Sequence, residues 1–160
     1  MTDPRPRPVD DLLPHTGTAR LLTGVLRSGP GFIEATGRVP AAHPLATGGR
    51  APSFLGLELG AQAAAALEAL ERAAAGEDRR PHVGYLVRVR EAAFSSPSLP
   101  VETPLHVKAL LTGAAPPLAI YRIEVSVGGG ELLRATLSTH SGTGAEARKG
   151  ARRVRSSSSR

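Results

Sequence analysis

Residues 53–70 read SFLGLELGAQAAAALEAL, from Ser53 to Leu70, and their interpretation decides the fold. Alanine, the best helix former, fills most of the stretch from Ala61 onward, and a run of small side chains also lets a neighbouring backbone approach closely. Ser53 is the expected N-cap and Gly76 the expected C′ residue, which gives a helix of about 35 Å. Toward its end the segment becomes charged (EALERAAAGEDRR, 68–80), so the first half is expected to be buried and the second to emerge into solvent. Glu58 and Gln62 interrupt the apolar half one helical turn apart, on one face. A carboxylate among Phe54, Leu55, Leu57 and Leu59 costs several kcal/mol unless it is compensated, so it marks a site.

On either side of this helix the pattern has period two. Ahead of it, LLTGVLRSGPGFIEATGRV (21–39) reads as a hairpin hinged at Gly29-Pro30-Gly31. The stretch PAAHPLATGGRAP (40–52), with three prolines and a Gly48-Gly49 pair, reads as a loop throughout, long enough to carry function. After the helix, Val83, Tyr85, Val87 and Val89 alternate with Leu86, Arg88 and Arg90; Leu105, Val107 and Ala109 alternate with His106 and Lys108; and Tyr121, Ile123, Val125 and Val127 oppose Arg122, Glu124 and Ser126. These are expected to be half-buried antiparallel strands, with a last strand in GGGELLRATLSTH (128–140). A hairpin, one long helix and about four meandering strands make an α+β domain in which a single helix covers a single sheet.

Composition narrows the function classes. A chain of 160 residues is one domain with tails. It contains no cysteine, which excludes disulfides, thiolate nucleophiles and cysteine-based zinc sites. The net charge is +6, but Arg148, Lys149, Arg152, Arg153, Arg155 and Arg160 against Glu146 alone leave the preceding 140 residues almost neutral. We expect a flexible Pro/Arg-rich leader over 1–8, a globular domain over 9–141 and a disordered basic tail over 142–160. Aromatic residues make up 3%, too few for a base-stacking platform, so no nucleic-acid partner is expected. Nor is a membrane span: Glu58 and Gln62 interrupt the most apolar segment, and the N-terminus does not resemble a signal peptide, so the cytoplasm is the expected location.

Three segments in order resemble the 3-hydroxyacyl-carrier-protein dehydratases of the hotdog fold, and most closely the dehydratase-like proteins of aryl-polyene pathways: LLPHTGTARLLTGVL (12–26), PSFLGLELGAQ (52–62) and VRVREAAFSSPSLPVETPLHVKALL (87–111). The likeness spans about residues 9 to 140. It implies one helix wrapped by a curved antiparallel sheet, and a site in which a loop histidine and the helix acid work together from different subunits. Carried onto this chain, His43 is the base that takes the α-proton and Glu58 the acid that assists loss of the hydroxyl, with Gln62 orienting Glu58. Gly48 and Gly49 are the expected backbone donors to the enolate oxygen, and Phe54 and Leu57 the expected walls of an acyl tunnel. The reaction needs no cofactor and no metal. The expected partners are an acyl carrier protein or coenzyme A thioester and a second hotdog subunit, identical or paralogous.

The family's His-Phe-Pro-Gly run is replaced here by His43-Pro44-Leu45, with the glycines displaced to 48 and 49. Two other readings therefore stay open: a thioesterase in which Glu58 alone activates water, and a non-catalytic hotdog partner. His15 is expected to stabilise a turn. His82, His106 and His140 are expected to be solvated, with no ligand spacing among them.

Overall fold

The computed structural model describes residues 6–77 and 81–142. Of the expected leader and tail, residues 1–5 and 143–160 lie outside the described residues. After a 3-10 turn at Gly17–Ala19 come β1 (Leu22–Gly29), β2 (Phe32–Gly37), β3 (Arg50–Pro52) and α1 (Leu55–Ala74). They are followed by β4 (Gly84–Phe94), β5 (Ser98–Pro100), β6 (Leu105–Ala115), β7 (Leu118–Val127) and β8 (Gly130–Ser141). Six strands form one sheet in the order β1-β2-β6-β7-β8-β4, every neighbouring pair antiparallel. α1 lies across this sheet, the hotdog arrangement that the resemblance implies.

The core is the layer between them. Leu59, Ala63, Ala66 and Leu67 of α1 meet Ile33, Val107, Tyr121, Ile123, Val125, Leu133 and Leu137 of the sheet, all of them buried. Each such leucine, isoleucine or valine side chain contributes roughly 1.5–3 kcal/mol by leaving water. The alternation expected for β6 and β7 appears as drawn, with Leu105, Val107 and Ala109 and then Tyr121, Ile123 and Val125 facing the helix. The hairpin turns at Gly29-Pro30-Gly31, where Gly31 has φ +73° and donates its N–H to Glu71 Oε1 at 2.8 Å, anchoring the turn to the helix.

Three expectations need correction. Ser53 does not cap the helix through its side chain: its buried Oγ has no hydrogen-bond partner among the described residues, and the cap position falls on Phe54. At the other end Gly76, φ +76°, is the C′ residue: it donates to Ala73 O at 3.2 Å and Glu77 to Arg72 O at 2.9 Å, a Schellman closure. The 40–52 stretch is not loop to its end. Arg50, Ala51 and Pro52 pair with Pro100, Leu99 and Ser98 in a separate two-stranded ribbon, a placement open to proline only at such an edge. Finally, β4 is exposed along its whole length, Val87 at 53% and Tyr85 at 44%, instead of burying one face. It is the edge strand beyond β8, and among the described residues neither of its faces is buried.

Candidate active site

α1 carries two adjacent polar groups in different environments. Gln62 is fully buried, and all its hydrogen-bonding capacity is used: Oε1 accepts the Leu21 and Leu22 N–H groups at 2.9 and 3.1 Å. Its Nε2 donates to Ala19 O at 2.7 Å and to Glu58 Oε1 at 2.9 Å. The amide therefore stitches the strand leading into β1 onto the helix and fixes the carboxylate one turn earlier, the orienting geometry that the i, i+4 spacing predicts. Glu58 itself is not buried. Its side chain is 43% exposed, at the edge of the apolar face, so water and this amide compensate the charge.

The imidazole that meets Glu58 within one chain is His15. Its Nε2 lies 3.3 Å from Glu58 Oε1, and its Nδ1 is buried with no partner among the described residues. The Leu-Pro-His turn does more than hold itself together: it carries a ring 43 positions away in sequence up to the helix acid. The signal was present in the sequence as the LLPH segment, but nothing local says that the chain crosses the helix there.

His43 sits elsewhere, half-buried in a compact turn. Its N–H donates to Pro40 O at 3.0 Å, its carbonyl accepts Ala46 N–H at 2.9 Å, and its Nδ1 accepts Leu45 N–H at 3.1 Å. A neutral ring with Nδ1 so engaged carries its proton on Nε2. Gly48 and Gly49, φ +58° and +73°, form the two-residue tip between Thr47 and Arg50, which exchange backbone hydrogen bonds at 2.8 and 3.1 Å. Positive φ at both tip positions is the type I′ requirement that glycine meets. A Cβ at either position would meet nothing within 4 Å among the described residues, while the Gly49 carbonyl accepts the Val101 N–H at 3.1 Å and ties the tip to the segment after β5.

A groove of about 100 Å³ opens beside Glu58. One wall is the helix stripe Glu58, Ala61, Ala65 and Glu68; the other is formed by Gly84, Tyr85 and Leu86 of β4 and Thr139 of β8, with His15 and His82 also lining it. Phe54, 52% exposed, and Leu57, packed on the core, do not line it. Glu68 at the far end was not singled out by the sequence, nor was the groove, which depends on β4 returning beside β8. Of the other histidines, His106 Nε2 stands 3.6 Å from Glu34 Oε2, and His140 is half-buried in β8.

A family model described as ApeP dehydratase matches residues 7–149, almost the whole chain. The chain belongs to the ApeP-like dehydratase family. It is a dehydratase of the aryl-polyene type, as the three sequence segments implied. No curated protein sequence matches it. Among solved structures it is similar to the dehydratase heterocomplex ApeI:P from Xenorhabdus doucetiae, at 22% identity over 91% of this chain and 97% of that one, with a TM-score of 0.81. It is also similar to the uncharacterised protein PH1136 from Pyrococcus horikoshii (15%, 84% and 93%, 0.58). A hypothetical thioesterase from Streptococcus pneumoniae TIGR4, solved with coenzyme A, is similar as well (12%, 74% and 84%, 0.53). At these identities the structures establish the hotdog fold.

Proposed function

We propose that this dehydratase converts a 3-hydroxyacyl thioester, carried on an acyl carrier protein or coenzyme A, to the trans-2-enoyl thioester, with Glu58 as the reacting carboxyl. The observation that carries this reading is the placement of Glu58 Oε1, held by Gln62 at 2.9 Å, facing His15 at 3.3 Å and opening on a groove. A base takes the α-proton next to the thioester carbonyl, the carbon–oxygen bond at C3 breaks, and the departing hydroxyl leaves as water with a proton from Glu58. Each proton transfer by a positioned group is worth roughly 10²–10⁴-fold. The chemistry calls for no metal or organic cofactor.

The base in this proposal is His43 of a second subunit, brought to Glu58 across a dimer of hotdog domains, identical or paralogous. The exposed β4 edge supports an approaching neighbour, and the Gly48-Gly49 tip, held by the Val101 N–H on the Gly49 carbonyl, would offer its backbone N–H groups to the thioester oxygen. Phe54 and Leu57, the expected tunnel walls, do not line the groove beside Glu58, and we read the acyl chain along Ala61 and Ala65 instead. A second reading gives the α-proton to His15: it already touches Glu58, whereas the Nδ1 of His43 is occupied by Leu45 N–H. Among the described residues no helix is long and apolar enough to cross a membrane, and we read the enzyme as cytoplasmic.

The test follows the absorbance of the conjugated product from purified protein. Glu58→Gln is expected to lower turnover by about 100-fold or more at unchanged melting temperature. An equal loss in His43→Ala supports the shared site; full activity in His43→Ala with loss in His15→Ala moves the base to His15. Hydrolysis of the thioester without dehydration would replace the proposal with a thioesterase.

A further inference from the structure

The groove that begins at Glu58 ends at a second carboxylate. Glu68 lies ten residues further along α1, about 15 Å away at helical rise, and lines the same groove. Between them Ala61 and Ala65 present a smooth wall opposite Tyr85 and Leu86. Glu68 is half-buried and ringed by hydroxyls: Oε1 accepts Tyr121 OH at 2.8 Å and Thr139 Oγ1 at 3.4 Å, and Oε2 accepts Ser141 Oγ at 2.8 Å. Burial first, and then the charge of Glu68, pushes the Tyr121 hydroxyl well above its ordinary range, so it stays a donor. A carboxylate offers about four acceptor positions, so among the described residues these three donors leave one position unmatched, on Oε2. An acyl tunnel built only for hydrocarbon would end in aliphatic side chains, since an unmatched charge at its end costs affinity for a methyl terminus.

We propose that Glu68 is a specificity-determining residue that accepts a hydrogen bond from a hydroxyl at the far end of the acyl chain. The inference rests on the dehydratase reading of Glu58 for its orientation: thioester at Glu58, chain along Ala61 and Ala65, polar terminus at Glu68. A site that pairs with a substrate hydroxyl rejects the analogue lacking it, because its own polar group is then left unmatched.

The experiment uses two 3-hydroxyacyl pantetheine thioesters of equal length, spanning about 15 Å from C3 to the terminus, one ending in a hydroxyl and one in a methyl group. The native enzyme is expected to favour the hydroxyl-ended substrate in kcat/KM by about tenfold or more, the scale of a hydrogen bond to a charged group. Glu68→Leu is expected to erase the preference, bringing kcat/KM for the two substrates to the same value. Glu68→Gln, which keeps an acceptor and the ring of hydroxyls, is expected to reduce the preference severalfold and serves if the leucine variant fails to fold. Equal kcat/KM for both substrates in the native enzyme, or the same ratio in native and variant proteins, overturns the assignment; a merely structural Glu68 would lower both substrates alike. Calorimetric titration of the native protein with the matching saturated, non-reacting thioesters reads the same ratio as affinity. If neither 3-hydroxyacyl thioester turns over, the dehydratase reading fails and the affinity ratio still decides the role of Glu68.

Discussion

Gln62 and Glu58 are one turn apart and answer to different demands. With Gln62 replaced by leucine, the Leu21 N–H and the Ala19 carbonyl lose their partners inside the protein, each worth about 1–3 kcal/mol when left unsatisfied. Gln62→Leu is therefore expected to lower the unfolding free energy by several kcal/mol, read by urea denaturation, while Glu58→Gln leaves it nearly unchanged because Glu58 is half-exposed. On the other face of the sheet Glu34 meets Arg27, with His106 and Lys108 nearby. The hydrogen bond from Arg27 holds the Glu34 carboxyl below the usual carboxylate range. A carboxyl with a depressed folded-state value stabilises the fold above its unfolded value, near 4.5, and loses that contribution as pH falls through the lowered value. Glu34→Gln should thus melt earlier than the native protein at pH 7, and the gap should close on acidification; a gap that persists unchanged into acid contradicts the ion-pair account.

At the scale of elements, α1 approaches the sheet as closely as its composition allows. A Cβ built on Gly60 would stand 2.5 Å from Ile123 Cγ2, and one on Gly56 2.8 Å from Leu133 Cδ2. Gly60→Val is expected to cost about 1–3 kcal/mol by overpacking, in spite of valine's better helix propensity, with a lower thermal midpoint as the readout. The sequence reading placed a close approach in the alanine run from Ala61 onward, whereas these tight contacts fall just ahead of it, at Gly56 and Gly60; the hairpin, β6 and β7 were legible because their periods are set by local chemistry and a single buried face. The ends of that legibility have physical causes. The three-residue β3 carries a proline and owes its pairing to Ser98–Pro100, nearly fifty positions later. The alternation of β4 reads as a half-buried strand, yet whether a neighbour covers it depends on sheet order. Glu58 and Gln62 were visible because i, i+4 spacing fixes their proximity; the contacts of Glu58 with His15 and of Glu68 with Tyr121, Thr139 and Ser141 join distant segments and leave no local trace.

For the molecule as a whole, the two edges of the sheet are unequal. Among the described residues β4 presents Tyr85, Leu86, Val87 and Val89 to solvent beside an unpaired strand edge, the kind of surface that a second hotdog subunit would continue. The purified chain is expected to sediment at twice its own mass, or to do so once a paralogous subunit is supplied. Val87→Lys should drive it toward the monomer and take activity with it; a monomer that keeps full dehydratase activity would show that the site is complete within one chain.

The opposite edge, β1, is already occupied. Arg7 exchanges backbone hydrogen bonds with Val25 at 2.8 and 3.0 Å, and a Cβ on Gly24 would strike Pro6, so part of the expected flexible leader lies along the strand. Prolines at 6 and 8 flank that single bridge, and proline has no N–H to offer a further strand. A sheet that is sticky at one side and blunted at the other can join a like sheet once, about a two-fold axis, and then has nowhere left to grow. Trimming residues 1–8 would reopen that side, and the expected result is fibrillar or amorphous growth at high protein concentration, seen as turbidity that the intact chain does not develop.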